Sequence, residues 1–237
     1  GDHRDLHLSL RRQRQMCIRD SSEMWINRAS DVLANNPGDG RSTGTLKTMK
    51  ARHIIETENW ETYELTDSLN SDELLALGLS AANLGDLDLA QAVADRLEDL
   101  SSQSPGNTTL NLISMEISAL TMFKKGQEEE AVALLMEAVS VAENQSPPRG
   151  AASPLKPVHE LAGDLLLAMG SHDKAAELYE TSLGRMANRP RALLGAARSY
   201  AGMSDEYNAR QKFQAFYSLW KDTDIAAVDE VEDYLGL

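Results

Sequence analysis

The side chains that could do chemistry are few, and their spacing works against each use. His159-Glu160 begins like a helical zinc-protease motif, but that site needs a second histidine four residues after the first, and position 163 is Gly. His172 follows Gly170-Ser171 in a turn, where solvation accounts for it, and His53 has no carboxylate or cysteine at ligand spacing. Gly78-Leu-Ser80-Ala-Ala82 lacks the second glycine and the leading strand of a nucleophile elbow. Asp86-Leu-Asp88 lacks the rest of a calcium loop. The glycines from Gly38 to Gly44 follow no strand and reach no Gly-Lys-Ser/Thr, so they read as a linker and not a phosphate cradle. Glu128-Glu-Glu130 suits the first turn of a helix, where carboxylates meet the positive dipole end. Trp25, Trp60 and Trp220 stand at helical spacing from other apolar residues and read as core. The expectation is no catalytic residue, no metal site, no cofactor and no enzyme.

Charge narrows the partners. The formal net charge is −14 and the sequence pI about 4.8. Nucleic-acid affinity rests on Lys and Arg neutralising phosphates, so nucleic acid is excluded as a partner. Anionic membrane surfaces are disfavoured for the same reason, and no run of eighteen apolar residues predicts a membrane helix. Hydrophobic residues make up 42% of the chain and aromatics 5%, enough to bury a core built mainly from Ala and Leu in close helix contacts.

Residues 1–21 differ from the rest, with five Arg against three Asp and the lone cysteine, Cys17. The run Arg11-Arg-Gln-Arg-Gln-Met-Cys-Ile-Arg-Asp-Ser21 resembles a peptide made when a sequencing adapter is translated at the edge of a metagenomic fragment. It is therefore set aside as a non-native leader. On that reading the natural N-terminus is missing, and Cys17 says nothing about redox compartment.

The elements that would position a site are helices in a recurring frame. A helix over residues 23–35 and a linker complete the segment 22–41. Residues 45–69 read as a degenerate hairpin that breaks at Glu58-Asn59 and resumes as a second helix at Trp60. Ser71-Asp72 then reads as an N-cap. A small residue, six others, a glycine and a later alanine follow: Gly78, Gly85 and Ala90; Ala119, Gly126 and Ala131; Gly163, Gly170 and Ala175; Gly195, Gly202 and, two residues late, Ala209. The first small residue lets two antiparallel helices approach, and the glycine supplies the left-handed cap that ends the first of them. The alanine sits where the helices cross, with Leu135, Tyr179 or Phe213 filling the gap above it. The turn glycines lie 41, 44 and 32 residues apart. A loop at 145–154 reads as a boundary between hairpins over 42–144 and 155–221, and 222–237 as a C-terminal capping helix.

This pattern resembles the tetratricopeptide repeat, a helix-turn-helix unit of about 34 residues that stacks into a solenoid. The resemblance implies an all-α, right-handed α-solenoid whose first helices line a concave groove for partner segments. Carried across, the groove positions are Asp72, Leu75 and Leu79; Ile113, Glu116, Leu120 and Phe123; Glu160, Asp164 and Leu167; Arg189 and Ala192. Leu79, Leu120 and Phe123 would anchor an apolar segment, while Glu116, Glu160 and Asp164 would prefer a basic peptide. Relatives that clamp chaperone carboxylates use Lys, Arg and Asn at such positions, so that activity is disfavoured. The run Lys156 to Leu167 also looks like a type of bacterial repeat protein whose members are often exported; compartment, oligomeric state and partner identity stay open. The leading expectation is a non-enzymatic protein-binding scaffold. The alternatives are a small-molecule or lipid binder in the apolar groove, a regulatory domain of a larger protein, or apolar residues that only touch the next repeat.

Overall fold

Eleven helices and no strand occur among the described residues, which are 19–35, 39–223 and 225–237 of the chain in a computed structural model. Helix α1 spans Arg19–Asn35 and α2 Gly40–Thr57. Four hairpins follow: α3 (Ser71–Leu84) with α4 (Leu87–Gln103), α5 (Thr108–Lys124) with α6 (Glu128–Glu143), α7 (Val158–Ala168) with α8 (His172–Arg185), and α9 (Pro190–Gly202) with α10 (Glu206–Trp220). Helix α11 (Ala226–Leu235) packs on α10 through the buried Val228 and Val231. Of the leader expected over 1–21, residues 1–18, including Cys17, lie outside the described residues.

Each helix packs on the next, and beyond its neighbours α3 packs on α5, α5 on α7 and α7 on α9. The first helices of the hairpins thus form one inner layer. That is an all-α helical-repeat solenoid. Inner helices are covered on nearly every side, which is why α3 buries nine consecutive residues from Leu74 to Ala82 and shows little amphipathic pattern.

The turns show how the frame is kept. Gly85, Gly126 and Gly170 take φ of +83°, +84° and +76°, the left-handed region that a side chain resists. Ala90, Ala131 and Ala175, each five residues on, are fully buried at the helix crossings. The fourth unit departs from expectation. Gly202 lies inside α9, and Ser204 takes the left-handed turn at φ 60°. Ala209 follows Ser204 by five residues and is fully buried, and the buried Ala197 precedes Ser204 by seven. The alanine is therefore on time and the glycine early. Gly202 is glycine because a Cβ there would meet the His172 ring at 2.5 Å. His172 accordingly starts α8 partly buried against α9, not solvated in a turn.

Two other local expectations are corrected. The N-cap of α3 is Asn70, whose side chain accepts from Glu73 N while the Glu73 carboxylate accepts from Asn70 N. No helix starts at Trp60: residues 59–70 run without helix, and Glu58 ends α2 in the left-handed region at φ 55°. Tyr63, Leu65 and Leu69 pack against the core from this segment, and the Tyr63 hydroxyl donates to the Glu73 carbonyl at 2.6 Å. Of the tryptophans Trp220 is buried and Trp60 packs partly buried against the core, whereas Trp25 is 50% exposed with Arg28 over its ring.

One apolar core runs from Ala51 in α2 to Ala196 in α9, and a second from Leu193 to Val231 holds α9, α10 and α11. The first crosses the loop at 145–154 without a break, because Leu155, Val158 and Leu161 pack with residues of α5 and α6.

Candidate functional site

The inner layer frames one concavity of about 380 Å³. Leu79 and Asn83 of α3, Leu120, Phe123 and Lys124 of α5, Leu161, Asp164, Leu165 and Leu167 of α7, and Arg198 of α9 line it, with Lys156 before α7. Glu58 and Trp60 close one side from the segment after α2. Residues from successive inner helices meet here because those helices stack in register.

The expected groove residues divide into two sets. Leu79, Leu120, Phe123, Asp164 and Leu167 come together on the concavity. Leu75, Ile113, Glu116 and Glu160 are fully buried, and Arg189 is largely so. The expectation of an acidic face for a basic peptide is therefore corrected. Glu160 has no exposed side chain; Arg189 grips it with Nε and Nη2 at 2.8 and 2.9 Å, and Ser182 Oγ donates to it at 3.3 Å. Asp164 accepts from Tyr179 at 2.6 Å and pairs with Lys156 at 2.6 Å. Glu116 has neither carboxylate oxygen hydrogen-bonded, and burial holds its carboxyl well above the ordinary 4.5, against the pull of Lys156. It is held neutral.

The same network joins distant parts of the chain. Arg189 Nη1 donates to Glu56 at 2.6 Å, so one guanidinium bridges α2 and α7. Arg191 pairs with Glu58 at 2.9 Å and donates through Nε, at 2.7 Å, and Nη2 to the Glu56 carbonyl, capping the end of α2. Two arginines at the start of α9 oppose that helix's own dipole; the carboxylates and the carbonyl end of α2 are what make them stable there. Sequence reasoning missed Glu56, Glu58, Trp60, Arg191 and Arg198. The one signal was Arg189-Pro-Arg191 at a helix start, where acids are the rule.

A second hollow of about 240 Å³ is lined by Leu112, His159, Ser182 and Arg185 among others. It offers little chemistry. Arg185 is taken up by the carbonyls of Ala142 and Gln145 at 2.9 and 3.0 Å, and burial, with Arg185, holds His159 below its ordinary value. Among the described residues no group of three or more His, Cys, Asp or Glu could hold a metal ion, and no helix is long and apolar enough to cross a membrane.

No protein-family model matches this chain, and no curated protein does. Solved structures do. A thermophilic TPR protein of Thermus thermophilus aligns over 91% of this chain and 100% of its own at 15% identity, with a TM-score of 0.50. MamA of AMB-1 aligns over 92% and 96% at 19% identity, and MamA of MSR-1 over 79% and 95% at 20%, both with a TM-score of 0.41. The first likeness fixes the fold as that of a tetratricopeptide-repeat protein.

Proposed function

We propose, for a chain with this fold, a non-enzymatic scaffold that takes a segment of a partner protein in the concavity of its inner layer. The observation that carries the reading is the meeting of Leu79, Leu120, Phe123 and Leu167, from three successive inner helices, on one hollow. Apolar side chains spaced along a groove accept alternate side chains of an extended segment or one face of a helix. The polar groups at its edge, Asn83, Lys124, Lys156 and Arg198, supply orientation.

The test is selection from a displayed peptide library on the intact chain, followed by titration of the selected peptides on Phe123→Glu. Phe123 is only partly buried, at the margin of the core, so a charge there acts first on the groove. Selected peptides should lose about tenfold or more in affinity, as removal of a central aromatic anchor does, with melting unchanged. Equal binding to both proteins would move the partner surface elsewhere.

A further inference from the structure

The stretch after α2 breaks the repeat architecture. Its start is fastened to the far end of the array: Glu56 to Arg189 and the Glu56 carbonyl to Arg191 join residues 133 and 135 positions apart. Glu58 adds the pair with Arg191 and lies within electrostatic reach of Lys156 and Arg198. Two residues on, Trp60 packs against the core and lines the same concavity as Leu79, Leu120 and Phe123. Lys156 there is paired with Asp164 at 2.6 Å and Arg198 with Glu230 at 2.9 Å, so Arg191 is the cation that Glu58 itself holds. Glu58 also holds a left-handed backbone where glycine is usual at a helix end, so a carboxylate is kept at a position that disfavours any side chain.

Resting on the groove as the partner site, we propose that the Glu58–Trp60 strap is an internal competitor for it, and that the outside partner is a protein segment of the same chemistry, a carboxylate two residues before a large aromatic side chain. The partner's ring takes the place of Trp60 on the concavity lined by Leu79, Leu120 and Phe123, and its carboxylate replaces Glu58 at Arg191. The side chains of Glu58 and Trp60 turn out of the hollow while Glu56 and Tyr63, on either side, stay fastened. Because the strap is tethered, its effective concentration is high, and apparent affinity for the partner falls by the fraction of molecules with the strap open.

The probe is a labelled synthetic peptide with the sequence of residues 56–66, titrated against the intact chain and against Glu58→Ala/Trp60→Ala, with helicity and melting recorded. The variant should bind at least about tenfold more tightly than the parent, the loss a mostly closed strap imposes. A peptide with its glutamates changed to lysine should bind neither. Equal affinity for both proteins, equal binding of the lysine peptide, or no binding at all overturns the proposal. If the double variant does not fold, fluorine NMR of the fluorotryptophan-labelled parent decides: saturating peptide should shift the Trp60 resonance, identified by Trp60→Phe, and leave Trp220 in place. An unmoved Trp60 overturns the proposal. Library peptides that lose affinity on Phe123→Glu but carry no acid–aromatic pair would overturn it too and leave the groove reading standing.

Discussion

The two middle hairpins before the 145–154 loop and the two after it follow one frame but are locked differently. Between α3 and α5 the close approach is Gly78 against Ile117, an aliphatic chain among Leu and Ala. Around α7 and α9, Gly163 and Gly195 both abut the ring of Tyr179, which is fully buried and tied by its hydroxyl to Asp164. Beside it runs the Glu56–Arg189–Glu160 bridge. Apolar packing tolerates substitution at constant volume, whereas a buried ionic and aromatic hub admits one arrangement. The hub lies where the end of α2 returns to the array, so geometry is fixed most tightly where the groove is closed.

The comparison breaks most visibly at Arg189. Arg189→Ala strands the Glu160 carboxylate without its cation and should cost about 3–5 kcal/mol, the range for half of a buried pair. Replacing both partners, as Arg189→Met/Glu160→Leu, should recover part of that loss, with Glu56 still left without its cation. Denaturant melts of the three proteins check it; additive losses in the double variant would mean the pair is not coupled.

Next come the glycines. A Cβ on Gly195 would lie 2.2 Å from the Tyr179 ring, and on Gly78 at 2.8 Å from Ile117. The tyrosine is pinned by its hydroxyl and cannot retreat, while the isoleucine is untied, is met less deeply and has less far to give. Gly195→Ala should therefore destabilise by about 2–3 kcal/mol, as overpacking does. Gly78→Ala should stay within about 1 kcal/mol of the parent, because the helix propensity gained offsets the crowding. Equal effects in thermal melts would erase the distinction between the two regions.

Glu116 sits on α5, between the two regimes. Its folded-state value is raised, so the folded chain holds this proton longer than the unfolded chain does. Stability should then fall as pH rises above the ordinary 4.5, until the carboxyl ionises in the folded state. Glu116→Met removes both unpaired oxygens and should stabilise by roughly 1–2 kcal/mol, with a larger gain at pH 8 than at pH 5. A gain independent of pH would assign the effect to packing alone.

Much of the fold was legible because repeat packing is local. Gly85, Gly126, Gly170 and their alanines are spaced by turn geometry and helix crossing, both short-range and periodic. That Leu79, Leu120 and Phe123 share one face followed from the same frame, and they meet on one concavity. The rest was not legible, for a physical reason. Whether Arg189 reaches Glu56 as well as Glu160 depends on how far a solenoid winds before its end meets α2, a sum of small rotations no local pattern carries. Trp60 misled because its neighbours have helical spacing, yet Tyr63 and Leu65 are taken by the core from a non-helical path.

The fourth turn tests the frame itself, with the smallest effect. The sequence puts the turn glycine at Gly202; the structure puts the left-handed residue at Ser204 and uses Gly202 to clear the His172 ring. If the structure's frame is right, Ser204→Gly should stabilise by about 1 kcal/mol, since glycine enters that region without the side-chain penalty. Gly202→Ala should destabilise, despite its better helix propensity, because the added Cβ meets the His172 ring. If Gly202 were the turn residue, Ser204→Gly would bring no gain. Paired melts of the two variants therefore separate the frames by sign at Ser204. They also show why Ala209 falls 34 residues after Ala175, one full repeat: the alanine kept the period, and only the glycine had moved.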